Sequence, residues 1–312
     1  MTGPRPALIV GGVQWGGVFA AVPTQFDEDE SLDLEALEEQ IARLEAGGVA
    51  GIVMLAPLGE NASLSDDEKR AVVHRAVLAA DGRVPVLAAS CEHTTRAACR
   101  FAVDCESIGV DAMVVLPSPR YRSRARETLM HLRSVAASTE LPVMVHDHPA
   151  EVGADELPAI LAELGAVENV EAVAECAADQ RRVPRLVETL GTRFSVFAGV
   201  DELVVESVLH GARGWLAGIV NVFPRETVEL FGCAAAGRWD DALALRRWLA
   251  PLQRVVADGA PVQAVKLAQQ VLGVGGESVR APRLPLAGAE RALVEQTVRE
   301  ALERRPALEA AV

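Results

Sequence analysis

The sequence predicts an α/β chain folded as a (β/α)8 TIM barrel with a C-terminal helical extension. Three observations carry that expectation. Eight short apolar runs are bounded by Gly, Pro or Asp, helical patterns of workable length separate them, and no glycine-rich phosphate loop follows the first run. Short apolar runs are the signature of parallel strands buried on both faces. Their alternation with helices leaves a closed barrel or an open doubly wound sheet. The open sheet is disfavoured because Pro23-Thr24-Gln25-Phe26 stands where it would carry its phosphate turn.

The expected strands are Val18–Val22, Gly51–Leu55, Val84–Ala89, Ala112–Leu116, Val143–Val145, Val170–Ala174, Phe194–Ala198 and Trp215–Ile219. Between them, helices are expected at Leu34–Glu45, Ala125–Ala137, Ala154–Leu164, Gln180–Leu190 and Glu202–Leu209. Ser65-Asp66-Asp67-Glu68 has the form of a capping box, with the serine accepting an N3 amide and Glu68 reaching back, and it opens a helix through Ala80. Thr94 or Thr95 caps the next helix, to Ile108. After Pro224 the strand signal ends, and helical patterns follow at Arg225–Ala236, Trp239–Val256, Val262–Leu272 and Ala287–Leu302. The chain is therefore divided into an N-terminal extension (1–16), the barrel (17–223), a helical region packed on it (224–305) and a tail (306–312) expected to fray.

Composition bounds the function. A chain of 312 residues, half of them hydrophobic and 24% charged, supports a large core. A formal net charge of -14 argues against a nucleic-acid partner, which needs clustered cations. No uninterrupted apolar stretch is long enough to span a bilayer. The segment from Ala7 to Val22 is interrupted by Gly11, Gly12, Gln14, Gly16 and Gly17, and is not expected to be a signal peptide. Five cysteines (Cys91, Cys99, Cys105, Cys176, Cys233) without a compact spacing read as reduced thiols in a cytoplasmic protein. Cys91 and Cys176 are expected as small buried fillers. Only two lysines occur, Lys69 and Lys266. The first falls on a charged helix start, as a solvated residue. The second falls on a C-terminal helix in a structural role. Neither is expected near the barrel mouth.

Ordered motifs along nearly the whole chain resemble the dihydrodipicolinate synthase / N-acetylneuraminate lyase family. They are Gly17 to Phe26, Gly48-Val49-Ala50-Gly51-Ile52, Gly59-Glu60, Leu64 to Arg70, Gly199-Val200-Asp201-Glu202, Gly211 to Pro224, Val265-Lys266 and Arg280 to Pro285. The stretch from Gly211 to Pro224 is more similar to the sugar-acid dehydratase branch than to the lysine-biosynthetic one. The resemblance implies a barrel, a homo-oligomer (dimer or tetramer) and an enzyme that joins a barrel lysine to a 2-oxo acid as an imine.

The positions that carry this chemistry depart from the family. Ala174 stands where the resemblance places the lysine, and alanine cannot attack a carbonyl. His146-Asp147-His148-Pro149 replaces Tyr-Asn-x-Pro, so an imidazole takes the place of a phenol. Ala56-Pro57-Leu58-Gly59-Glu60 replaces Gly-Thr-Thr-Gly-Glu, which removes two hydroxyls and a backbone N–H. The family's paired tyrosines become Pro117-Ser118-Pro119-Arg120-Tyr121.

Loops after the strands converge at the C-terminal face of such a barrel. The expected catalytic residues are His146, His148, Glu60 and Asp147. Leu58, Gly59, His93, Glu175, Asp201 and Gly218 are expected to bind substrate. Residues two apart on an extended segment face the same side, so His146 and His148 can converge inward while Asp147 turns away or orients one of them. Two chemistries follow. A divalent metal on His146 and His148, completed by Glu60 or His93, replaces the imine as Lewis acid. Alternatively, His146 is the general acid/base, tuned by Asp147 or Glu60. The bland counterparts are a hydrogen-bonded His-x-His and a Glu60 that only holds backbone amides. The run Arg120, Arg122, Arg124 and Arg126 is read as a solvated loop and helix start rather than an anion clamp. The expectation is a lyase acting on a small oxo- or hydroxy-carboxylate without a Schiff base. Its rival is a non-catalytic family member serving as a small-molecule binding or partner subunit.

Overall fold

Alternation along each strand sorts the core into two shells. Phe19, Ala21, Val53, Leu87, Ala89, Val114, Met144, Ala172, Ala174, Phe197 and Leu216 pack together inside the barrel. Their neighbours in sequence pack outward against the helices. The computed structural model describes residues 9–10, 12–117, 123–147 and 157–308. In it, eight parallel strands close on themselves: β3 (Gly17–Ala21), β4 (Gly51–Met54), β5 (Val86–Ser90), β6 (Ala112–Val115), β7 (Val143–Asp147), β8 (Val170–Glu175), β9 (Ser195–Ala198) and β10 (Gly214–Ala217). The last pairs with the first through Gly214↔Gly17 to Ala217↔Ala20. A short antiparallel hairpin, β1 (Ile9–Val10) and β2 (Val13–Gln14), precedes them.

Helices α1 (Leu34–Ala46), α2 (Asp66–Ala80), α3 (Thr95–Ile108), α4 (Ala125–Ala136), α5 (Leu157–Leu164), α6 (Arg182–Leu190), α7 (Val204–Leu209) and α8 (Pro224–Ala235) form the outer ring. The capping box of α2 forms as expected, with Glu68 N donating to Ser65 Oγ at 3.3 Å and Ser65 N to Glu68 Oε2 at 2.8 Å. Thr94 caps α3 by accepting from Ala97 N at 3.2 Å. Helix α6 begins two residues later than expected because Asp179 folds an Asx turn, its carboxylate accepting from Arg181 N at 3.0 Å. Arg124 and Arg126 are exposed at the start of α4, consistent with a solvated helix start. Tyr121, Arg120, Arg122, Ala154 and the last four residues of the tail lie outside the described residues.

Three further helices, α9 (Trp239–Ala257), α10 (Pro261–Leu272) and α11 (Gly288–Glu303), follow the ring. Proline at the first position of α8 and α10 lacks an N–H that would have no partner there anyway. Gln253 of α9 donates to the Asp201 carbonyl at 3.0 Å, which sets this helix against the end of β9. Among the described residues no helix is long and apolar enough to cross a membrane.

The N-terminal end of the barrel is plugged by Trp15, buried against Phe19 (ring centroids 5.9 Å apart) and edge-on to Phe197 (6.1 Å). At about 25 cal/mol per Å2 over roughly 200 Å2, that ring contributes on the order of 5 kcal/mol as an upper bound. Its Nε1 donates to Glu171 Oε2 at 2.6 Å. Trp15 thus fills the N-terminal end of the barrel, opposite the mouth.

Candidate active site

The mouth follows from the same two-residue alternation. On β7, Met144 points inward, so the next inward position is His146. On β8, Ala172 and Ala174 point inward, and the next inward position is Cys176. These strands pair with His146 opposite Ala174 and Asp147 opposite Glu175. β7 was expected to end at Val145; pairing continues through Asp147, so the histidine is held by strand hydrogen bonds rather than by a loop. His146 Nε2 lies 3.4 Å from Cys176 Sγ. Both line a cavity of about 410 Å3 with Leu58, Asp201, Gly218 and Gln253, walled by Val256 of α9 and Val265 of α10.

Gly199, at the end of β9, makes space for the thiol. A Cβ there would sit 2.2 Å from Cys176 Sγ and 2.9 Å from the Glu175 carbonyl oxygen. The filler expectation for Cys176 therefore needs correction: the residue is half-buried and faces the cavity beside an imidazole. Cys91 is also half-buried, its thiol donating to the Leu55 carbonyl at 3.6 Å.

Of the expected site residues, the structure gathers His146, Leu58, Asp201 and Gly218 at the cavity. Asp201 lines it, but its carboxylate accepts from Trp215 Nε1 (2.9 Å), Gly218 N (3.2 Å) and Ile219 N (2.9 Å), so it anchors the turn after β10. Burial pushes its pKa up to about 6, against the pull of those three donors.

Asp147 and Glu175 occupy the outward parity and leave the barrel interior. Both meet Arg182 at the first turn of α6. Its Nε lies 2.9 Å from each Glu175 oxygen, and its terminal nitrogen bonds Asp147 Oδ2. Glu175 also accepts from Ala177 N at 2.8 Å. The substrate-binding expectation for Glu175 and the catalytic one for Asp147 thus give way to a buried acid–arginine–acid cluster behind the wall. Burial first, then the neighbouring Glu175 charge, raises the Asp147 pKa to about 7. Arg182 escaped the sequence reading. The available signal was two adjacent-strand acids facing outward, which require a cation where the next helix begins.

Glu60 is likewise turned away from the cavity. It takes a left-handed backbone (φ 54°), is fully buried, and receives Lys266 Nζ at 2.6 Å, Arg280 N at 3.3 Å and Arg283 at 3.6 Å. Gly59 accepts from Thr24 Oγ1 at 2.7 Å through its carbonyl, and a Cβ on it would meet the Val22 carbonyl at 3.1 Å, so it holds the loop. Lys266, expected in a structural role, grips the back of this rim loop, with further contacts to the Ser278 carbonyl (2.7 Å) and the Phe26 ring (4.4 Å). Burial lowers its pKa to about 8, with Glu60 opposing the shift. Lys69 is not the solvated residue expected: it is buried and paired with Glu92 at 2.6 Å. His93 is exposed and is absent from the cavity wall.

His148 lies outside the described residues. Among the described residues, no three His, Cys, Asp or Glu side chains are grouped as a metal ion would require. Nor does any lysine or arginine line the cavity among them.

Residues 14–301 match the Dihydrodipicolinate synthetase family. A 4-hydroxy-tetrahydrodipicolinate synthase of Methanospirillum hungatei is 32% identical over 291 residues, covering 92% of this chain and 98% of that protein. One from Methanothrix thermoacetophila is 31% identical over 277 residues, with 88% and 93% covered. Among solved structures, the dihydrodipicolinate synthase of Aquifex aeolicus superposes with a TM-score of 0.86 at 27% identity, over 93% of this chain and 97% of that one. The chloride-inhibited Acinetobacter baumannii synthase complexed with pyruvate gives 0.87 at 25% identity, with 92% and 98% covered. Barrel, motifs and relatives agree: the chain belongs to the dihydrodipicolinate synthetase family.

Proposed function

We propose that this chain is a lyase of its family that works on a small oxo- or hydroxy-carboxylate without forming an imine, with His146 moving the proton. One observation carries the reading. His146 faces the mouth cavity from the end of β7, and its partner across the strand pair is the methyl group of Ala174. An imidazole held this way can take a proton from a substrate carbon or hydroxyl and return it near neutral pH. Neither lysine supports an imine, because each is buried in a carboxylate pair away from the cavity lining.

The relatives' names support lyase chemistry, and the pyruvate in the Acinetobacter baumannii structure makes pyruvate the first compound to test. A non-catalytic role would leave the mouth without reactive groups. His146 and Cys176, within hydrogen-bonding reach of each other, weigh against it. Family membership also supports a dimer or tetramer, which sedimentation reads directly. The metal-assisted version of the chemistry rests on His148.

The test is incubation with pyruvate and borohydride followed by intact mass. The expected outcome is an unchanged mass. A covalent gain mapped to Lys69 or Lys266 overturns the reading.

A further inference from the structure

At the mouth a thiol lies beside an imidazole. Cys176, the residue just past β8, keeps the inward parity of Ala172 and Ala174, so the thiol stands one inward layer, roughly 6.6 Å, beyond the Ala174 methyl. It is half-buried, lines the cavity and lies 3.4 Å from His146 Nε2. The imidazole is itself only 6% exposed, on a strand that leaves it little freedom. Gly199 completes the arrangement, since any side chain there would displace the sulfur.

The other thiols have different surroundings. Cys105 and Cys233 are buried in helix packing, where loss of solvent pushes the first well above the ordinary thiol range and the second up to about 11. The Cys99 thiol donates to the Ser134 carbonyl at 3.4 Å and Cys91 to that of Leu55 at 3.6 Å; Cys176 also has a carbonyl in reach, that of Ala174 at 3.8 Å, but lies closer to the imidazole, at 3.4 Å. A carbonyl oxygen accepts a hydrogen bond but does not take the proton. An imidazole does, and a thiolate so formed is the attacking species.

We propose that Cys176 is a covalent nucleophile of this site, with His146 as its proton partner, and that it captures the carbonyl carbon of a small oxo compound as a thiohemiacetal or thiohemiketal. The thiol proton passes to His146 Nε2 as the sulfur pair forms the S–C bond. The C=O π pair moves to oxygen, and the imidazolium returns the proton there. The adduct is neutral overall, reversible, and needs no oxidant or reductant. It gives this barrel a covalent hold on a carbonyl from β8, two residues after Ala174. The inference rests on the reading that the cavity takes an oxo compound.

Two measurements test it. The first is alkylation by iodoacetamide, followed residue by residue by peptide mass across pH, with Cys99 as the internal reference. An unassisted thiol is only about 3% ionised at pH 7, so an imidazole-assisted Cys176 is expected to react about tenfold faster than Cys99. In His146→Gln that advantage disappears near neutral pH, while at high pH, where thiols ionise unaided, the Cys176 rates of variant and wild type converge; a purely structural role for His146 would not give this pH-dependent loss. Gly199→Ala is a second probe and slows Cys176 at every pH by displacing the sulfur. A Cys176 rate no faster than that of Cys99, or one that His146→Gln leaves unchanged, overturns the proposal. The second uses [1-13C]acetaldehyde: a protein-bound thiohemiacetal carbon, distinct from free aldehyde and hydrate, is expected in the wild type and absent in Cys176→Ala. Its absence from the wild type overturns the carbonyl capture. A lysine adduct with pyruvate and borohydride would strike down the imine-free reading instead, so the two failures are distinguishable.

Discussion

Lys266→Met tests whether this lysine is a structural cation or a reactive amine. The methionine keeps most of the side-chain volume but removes Nζ, which donates to Glu60 Oε1 at 2.6 Å and to the Ser278 carbonyl at 2.7 Å and sits 4.4 Å from the Phe26 ring. Both members of the pair are fully buried. Removing one partner of such a pair costs roughly 3–5 kcal/mol, mainly because the other charge is left behind. Glu60 keeps Arg280 N at 3.3 Å and Arg283 at 3.6 Å, which places the expected loss near the lower end, about 3 kcal/mol. Glu60→Gln alone should cost a similar amount, and the double variant little more than either single, leaving a coupling of about 2.5 kcal/mol. Urea unfolding of the four proteins measures the cycle. The pH dependence has a definite sign. Burial lowers the lysine's pKa to about 8 in the folded chain, below its ordinary 10.5. Between those values the unfolded chain holds more protons, so this group makes stability rise with pH, by at most about 1.4 kcal/mol per unit. Lys266→Met should abolish that rise. A loss under about 1 kcal/mol, or additive single costs, would refute the structural assignment.

Two further perturbations address the buried acids. Asp147, raised to about 7 by burial and then by Glu175, contributes stability that is full below its unfolded value of 3.8 and declines as pH rises toward 7. Asp147→Asn should remove that decline, read as urea midpoints at pH 5 and pH 8 that differ less than in the wild type; an unchanged difference contradicts the assignment. Trp15→Phe keeps most of the plug but deletes the 2.6 Å donor to Glu171, whose pKa burial already raises. The expected cost is about 1–3 kcal/mol at pH 7, shrinking as acid protonates Glu171. Equal costs at pH 7 and pH 4 would show that the lost bond is not the cause.

The barrel was legible because its strands are buried on both faces, so burial alone writes eight apolar runs into the sequence. The site was legible only where strand alternation reaches it. His146 is inward by the same count that places Met144, and that count leaves Asp147 outward, against its expected catalytic role. Glu175, one residue past Ala174, has that outward parity too, and the rule that turned Asp147 away should have excluded it from the cavity. Glu60 was misassigned because a left-handed residue reverses the direction of its side chain, and no periodicity reports a single positive φ. Its partner Lys266 stands 206 positions away, and Arg182 meets Asp147 across 35. Nothing local in either segment signals such a pairing. Cys176 was set aside on the general habits of cysteine, although its parity with Ala174 already pointed it inward.

If, as proposed, the site works without an imine because alanine stands at position 174, a lysine placed there should form one. Ala174→Lys places an amine on the inward face of β8, directly across from His146 and one layer below Cys176. The position is fully buried among apolar residues, so the longer side chain must extend toward the mouth, at a cost of about 1–3 kcal/mol for the added volume. Burial would also favour the neutral amine, the form that attacks a carbonyl. The expected result is a borohydride-trapped pyruvate adduct mapped to position 174 in the variant and none in the wild type. A folded variant that traps nothing would show that the mouth differs in more than its nucleophile. Pro57 and Leu58 on the opposite rim, which offer no hydroxyl and, at the proline, no N–H, would then be the residues that exclude a 2-oxo acid.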